Sequence, residues 1–169
     1  MDFLYDLFHN VVFVSAILGW FVAQVLKTLI HMIITKKFVA ERMVGSGGMP
    51  SSHSATVCGL ATAAGITYGG ASFEFAMAVI FAIVVMHDAM GVRRETGIQA
   101  RVINEMLEVF TNMGKEMSPE EKLKEFVGHT PLQVLAGAIL GIIIAVLMCS
   151  IMKLLRIKNT DKRRKICRT

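Results

Sequence analysis

The chain has 169 residues, which is the size of one domain, and its formal net charge is +5. Hydrophobic residues make up 54% of it and charged residues 18%, and the apolar residues come in long blocks. Soluble domains carry about 25% charged residues, so this composition excludes an ordinary soluble domain and predicts an integral membrane protein.

Four apolar segments are long enough to cross or nearly cross a bilayer, which needs about 20 residues. They cover residues 11–34, 54–68, 73–90 and 132–155. The second is short and rich in small residues, which let helices approach closely, so we expect it to lie inside the bundle. Gly69 and Gly70 predict a tight turn before the third segment. The predicted fold class is all-α, an integral membrane bundle of about four transmembrane helices.

The connection between the third and fourth segments, residues 91–128, carries apolar residues at helical spacing with charges between them. These are Ile98, Val102, Met106 and Val109. The pattern predicts an amphipathic helix at the membrane surface. Within the same connection, the stretch MSPEEKLKEF predicts a second short helix that begins at Ser118.

The C-terminal segment is strongly basic and defines a tail, residues 156–169, after a single transmembrane domain of residues 1–155. Directly after a membrane helix, such a tail is expected to bind anionic lipid headgroups rather than nucleic acid. It also favours a cytoplasmic C-terminus. We expect a multi-pass protein of the cell membrane, the inner membrane of a bacterium. A four-helix bundle is small for a membrane enzyme, which favours a homodimer.

With four spans, the connections 35–52 and 91–128 lie on one side of the membrane, together with most of the polar residues. There the stretch VGSGGMPSSHSA places a glycine-rich loop before a helix, with Ser51 or Ser52 as the N-cap and His53 in the first turn. Unpaired N–H groups at a helix start bind anions, and glycines let the backbone approach a ligand. The pattern fits a phosphate site; a merely capped helix after a flexible loop is the alternative.

The stretch GHTPLQVLAG begins the fourth helix on the same side, with Thr130 as N-cap and Pro131 at the first helical position. His129 precedes the cap. A single histidine at a helix start is usually structural, but two histidines at two helix starts on one face indicate acid–base or nucleophilic chemistry.

Basic residues accompany the two histidines. Arg93 and Arg94 follow the third segment and suit phosphate, because a guanidinium donates forked hydrogen bonds; an interfacial ion pair with Asp88 is the alternative. On the first segment Gln24, Lys27 and His31 share one face. Lys27 lies roughly 10 Å from the helix end, so it either faces the bundle interior or snorkels to the interface. No residues show metal-ligand spacing.

Three stretches together resemble the divergent branch of the type 2 phosphatidic acid phosphatase family, which is related to vanadium-dependent haloperoxidases. They are GGMPSSHSA, HDAMGVRRETGIQARVIN and GHTPLQVLAG, and the resemblance covers about residues 27–141. It implies a helical bundle that hydrolyses lipid or isoprenoid phosphates without a metal or other cofactor. His129 would be the nucleophile that forms a phosphohistidine, and His53 would be the general acid. The residues that would hold the phosphate are Lys27, Ser51, Ser52, Arg93 and Arg94.

The chain departs from the wider family's pattern at the partner of the nucleophile. Gln133 stands where an aspartate orients the histidine, so Asp88 or Glu125 would have to supply a negative charge. Leu123 stands where a serine–arginine pair is expected, and Arg42 lacks the proline that follows it in the family. A catalytically reduced protein that binds or translocates an anionic lipid is therefore the alternative. A structural subunit whose tail recruits partners is a third hypothesis.

Overall fold

The structure is a computed structural model that describes residues 2–36, 47–113, 123 and 128–166. This part of the chain contains helices and no strands. The helices are α1 (Asp2–His9), α2 (Val11–Thr35), α3 (Ser52–Tyr68), α4 (Phe73–Met90), α5 (Val92–Asn112) and α6 (Pro131–Ile166). The predicted all-α membrane bundle is confirmed.

Three helical stretches are long and apolar enough to cross a membrane: Val11–Thr35, Phe73–Asn112, which joins α4 to α5, and Pro131–Lys158. Their large apolar side chains point outward, as at Ile33 (73% exposed) and Leu132 (63% exposed), and such a surface requires lipid around it. The 17 residues of α3 correspond to about 26 Å, so its role as a fourth span stays a prediction.

Helix α3 lies at the centre of the bundle and packs against α2, α4 and α6. Its residues Ala55 and Ala63 have no exposed surface, which confirms the prediction of an inner helix. The contact with α6 depends on two glycines: a Cβ atom at Gly137 would overlap the carbonyl of Ser51, and one at Gly141 would overlap the carbonyl of Ala55. Small residues thus bring the two backbones into direct contact.

The same contacts fix the helix directions. Successive α6 glycines meet successive turns of α3, so these two helices run parallel. Helix α2 is antiparallel to α3, since Gly19 faces Ala55 while Gly59 faces the Ser15 carbonyl. The N-termini of α3 and α6 therefore lie side by side, and the Ser51 N–H donates to the carbonyl of Gln133 at 3.0 Å.

The predicted amphipathic helix is confirmed as α5, while its place at the membrane surface stays a prediction. Ile98, Val102, Met106 and Val109 are between 46% and 58% exposed. Its inner face consists of Gly97, Ala100 and Asn104, which are buried.

The structure differs from the sequence prediction at both ends of the chain. Helix α1 was not predicted; it is separated from α2 only by Asn10, whose side chain caps α2 by accepting from the Val12 N–H at 2.9 Å. Helix α6 does not end near residue 155 but continues to Ile166, because lysine and arginine are good helix formers and no glycine or proline interrupts them. The short helix predicted from Ser118 lies outside the described residues.

Candidate active site

The loop before α3 brings its backbone against a buried lysine. Gly47 and Gly48 have φ of 90° and 85°, a region that favours glycine. A Cβ atom at Gly48 would lie 3.1 Å from Cγ of Lys27. The Lys27 side chain is only 3% exposed, so of the two alternatives left open by the sequence it faces the bundle interior and does not snorkel. Gly45 and Arg42 lie outside the described residues.

Helix α3 begins with a side-chain cap. The N-cap is Ser51 rather than Ser52, and its hydroxyl accepts from the Ser54 N–H at 3.3 Å. Ser51 and Ser52 are both buried, and His53 lies in the first turn. This satisfies one N–H of the helix start and leaves its positive end turned toward the site.

Helix α6 begins with a capping box, the reciprocal pair of hydrogen bonds made by a Thr-x-x-Gln sequence. The Gln133 N–H donates to the Thr130 hydroxyl at 3.4 Å, and the Thr130 N–H donates to Oε1 of Gln133 at 3.1 Å. Because an N–H can only donate, the second bond shows that the oxygen of the Gln133 amide, and not its nitrogen, faces Thr130.

His129 is held by the same amide oxygen and by α4. Its Nδ1 lies 3.3 Å from Oε1 of Gln133, and its backbone N–H donates to the carbonyl of Ala89 at 3.1 Å. An amide oxygen only accepts, so Nδ1 carries the proton and Nε2 presents its lone pair. The side chain is 1% exposed, and Nε2 has no hydrogen-bond partner within the described residues.

Burial lowers the pKa of His129 from its ordinary value of 6.5, because water no longer stabilises the charged ring. The side-chain contact with Gln133 and the nearby Gly48 backbone raise the pKa, while the His53 and Lys27 charges lower it further. The net shift is downward, so the ring is neutral at neutral pH and its free nitrogen is available as a nucleophile.

The two histidines meet across the paired helix starts. The ring centroids of His53 and His129 are 5.8 Å apart, with 66° between the planes. Nδ1 of His53 is also buried and has no hydrogen-bond partner in the described part of the chain. Buried polar atoms normally have partners, so two such nitrogens on neighbouring rings indicate a place for a polar ligand.

Asp88 and Arg93 form an ion pair at the edge of the site, with Nε of Arg93 2.6 Å from Oδ2 of Asp88. Their side chains are 40% and 44% exposed, and this pair is the alternative that the sequence left open. Asp88 therefore does not replace the missing aspartate, since the Nδ1 partner of His129 is Gln133. Glu125, the other acid considered, lies outside the described residues.

The nine residues predicted for the site do not all come together. Those that gather around the two helix starts are His53, His129, Gln133, Lys27, Ser51 and Ser52. Arg93 and Asp88 lie close enough for their charges to act on His53. The Arg94 side chain is exposed, and its backbone packs against Gly128, where a Cβ atom would overlap it.

Sequence reasoning missed two groups that bind the backbone of Leu123 and of His129. Asn104, buried on the inner face of α5, bonds to the backbone of Leu123, and the Ala89 carbonyl accepts from His129. The sequence signal for Asn104 was its position: it lies on the same helix face as the small residues Gly97 and Ala100, opposite the apolar outer face.

Comparisons with known proteins agree with this architecture. The model of the Divergent PAP2 family matches residues 8–144, a range that includes all nine predicted site residues. The uncharacterized membrane protein YuiD of Bacillus subtilis is 38% identical over 152 residues, covering 85% of this chain and 96% of that protein. No solved structure matches the chain. The chain is a multi-pass membrane protein that belongs to the Divergent PAP2 family.

Proposed function

We propose that the protein is an integral membrane phosphatase that hydrolyses a lipid or isoprenoid phosphate through a phosphohistidine intermediate. The observation that carries the proposal is the free Nε2 of His129, buried beside His53 at two helix N-termini. Membership of a phosphatase-related family supports the reaction class.

In the first step, Nε2 of His129 attacks phosphorus while the bond between phosphorus and the lipid oxygen breaks. His53, protonated on the nitrogen that faces the ligand, gives its proton to the leaving oxygen. In the second step, neutral His53 takes a proton from water, whose oxygen attacks phosphorus and breaks the phosphorus–nitrogen bond. Inorganic phosphate leaves, and both histidines return to their starting states.

The phosphate would be held by positive groups that surround these rings. The N-termini of α3 and α6 carry partial positive charge, and preorganised donors of this kind stabilise charge that develops in a transition state. Lys27 supplies a full charge from the bundle interior, while Ser51 and Ser52 supply hydroxyl groups. Arg93 is near enough to contribute if it exchanges Asp88 for the phosphate.

An apolar cavity of about 460 Å³ supports a substrate with a long hydrocarbon chain. Leu60 and Ala64 line it from α3; they follow His53 by about two and three turns and lie on the same face of the helix. Val12 and Phe81 line it from α2 and α4, which do not contact each other within their described ranges. An acyl or isoprenoid chain could therefore lie between α2 and α4 with its phosphate at the histidines.

A second candidate function is binding or translocation of an anionic lipid without hydrolysis. The observation that favours it is the neutral Gln133 amide, which orients His129 but gives no charge to stabilise its imidazolium. The predicted partners are the same membrane lipids in both cases.

The exposed Lys153, Arg156 and Lys158 at the end of α6 suit anionic lipid headgroups. The predicted homodimer also stays a prediction.

The test is a phosphate-release assay on the purified protein, with phosphatidic acid, phosphatidylglycerol phosphate and a polyprenyl phosphate, each with and without a chelator. We expect release from at least one of them in both conditions. His129→Ala should reduce the rate at least about 10³-fold and His53→Ala about 10²-fold or more. His9→Ala is the matched control, because His9 is an exposed histidine on α1.

Failure of the wild-type protein to release phosphate from any of these substrates would contradict the proposal. Retained binding of the same lipids under those conditions would favour the second candidate function.

A further inference from the structure

Asn104 makes a pair of hydrogen bonds that packing alone does not require. Its Nδ2 donates to the carbonyl of Leu123 at 2.9 Å, and its Oδ1 accepts from the Leu123 N–H at 3.0 Å. One side chain thus satisfies both backbone groups of a residue 19 positions along the chain. Asn104 is only 5% exposed, and a buried amide is favourable only when its groups are paired, so this position is built for that contact.

The bonded residue belongs to the connection that leads to His129, which follows Leu123 by six positions. The end of that connection is fixed in two further places. Gly128 packs against the backbone of Arg94, and the His129 N–H donates to the Ala89 carbonyl. The contacts of Leu123, Gly128 and His129 are all made with α4 or α5. On the other side, the His129 ring contacts Gln133 of α6.

We propose that Asn104 is a positioning residue for His129: by fixing the backbone of Leu123 to α5, it keeps the ring buried with Nε2 directed at the site. Its consequence for turnover rests on the proposed function, whereas its effect on the histidine does not. The outer face of α5 is the apolar stripe of Ile98, Val102, Met106 and Val109. The nucleophile would therefore be attached to the helix that the sequence predicts to lie at the membrane surface.

The experiment compares Asn104→Ala, which removes both hydrogen bonds, with Asn104→Asp, which keeps the acceptor and removes the donor. Two matched controls accompany them. Gln99→Ala removes an exposed amide from the same helix, and Leu123→Ala removes an exposed side chain while keeping the backbone groups that Asn104 binds. Each protein is labelled with ¹⁵N-histidine, and the His129 ring is titrated by NMR in detergent micelles.

In Asn104→Ala we expect the His129 resonances to move toward those of an exposed ring, and its pKa to rise toward 6.5, because burial is what lowers it in the wild-type protein. Asn104→Asp should be intermediate, and both controls should match the wild type. With an active substrate, kcat should fall by roughly 10²-fold in Asn104→Ala with a much smaller change in KM, since misplacing a reacting group by about 1 Å has that effect.

Unchanged His129 titration in both Asn104 variants would overturn the proposal, as would an equal change in the Gln99→Ala control. If Asn104→Ala does not fold, Asn104→Leu, which is neutral, similar in volume and also lacks both hydrogen bonds, takes its place. If the wild-type protein releases no phosphate, the proposed function fails while the NMR comparison still tests the role of Asn104.

Discussion

Gln133 has two tasks that together account for an amide at this position. It closes the capping box of α6 with Thr130, a place that favours glutamine or glutamate because the side chain must reach back one turn. The same oxygen holds Nδ1 of His129. A shorter aspartate would not reach the Thr130 N–H so readily. At this position the chain thus keeps an acceptor that orients the histidine and lacks a negative charge.

This arrangement predicts how activity depends on pH. The pKa of His129 is lowered from 6.5 by burial, so the neutral ring persists below that pH, and the acid limb of kcat/KM should have its midpoint below 6.5. Gln133→Glu keeps the acceptor and adds a charge that stabilises imidazolium, so the midpoint should rise and kcat should increase at least about tenfold. The measurement is the pH–rate profile of both proteins, with Gln99→Glu as the control.

The same shift has a consequence for stability. The pKa of His129 is lower in the folded than in the unfolded protein, so the unfolded chain binds more protons between the two values. The His129 contribution to stability is therefore full above pH 6.5 and falls as the pH drops toward the folded pKa.

In the pH–rate profiles, an acid limb of kcat/KM centred above 6.5, or no movement of its midpoint with Gln133→Glu, would contradict the roles given to burial and to Gln133.

The two histidines were predictable from sequence because each lies beside a local signal, a cap followed by a helix. The partner of His129 could be located but not identified from sequence, since Gln133, Asp88 and Glu125 were all candidates; the 3.3 Å contact identifies Gln133. The contact of Asn104 could not be predicted, because its partner is the backbone of Leu123. Every residue has these backbone groups, so the sequence does not show which one is bound.

At the scale of helices, the predicted segment 73–90 coincides with α4, and the segments 11–34 and 54–68 lie within two residues of α2 and α3. These limits are set by local features: apolar blocks, serine or asparagine caps, and the Gly69–Gly70 turn. The pairing of helices was not predictable. Gly137 and Gly141 indicate that another helix packs closely against α6, but they do not indicate which helix it is. The structure gives α3 as that partner.

The contact between α3 and α6 predicts that alanine substitutions at two glycines differ sharply in their effect on the free energy of unfolding. Gly141→Ala should destabilise the protein by about 1–3 kcal/mol, because the added methyl group would overlap the Ala55 carbonyl and force the helices apart. Gly70→Ala is the control, since a Cβ atom there meets nothing within 4 Å. Thermal unfolding in detergent measures both, and equal midpoints for the two variants would show that the helices do not pack at these glycines.

At the scale of the whole molecule, the site and the apolar cavity occupy opposite ends of the same face of α3. Leu60→Trp should fill part of the cavity and lower kcat/KM at least about tenfold for a long-chain lipid phosphate, while a short water-soluble phosphate ester should be hydrolysed as before. Ile80→Trp, on the exposed surface of α4, is the control. Equal losses for long and short substrates would show that the cavity does not hold the chain.

The central claim is that Nε2 of His129 becomes covalently phosphorylated during turnover. Rapid alkaline quenching of the protein mixed with its lipid phosphate, followed by mass spectrometry of the peptides, tests this directly, because phosphohistidine survives alkali. We expect one phosphoryl group on His129 in the wild-type protein and none in His129→Ala. Phosphate release with no labelled residue, or with the label on another residue, would contradict it.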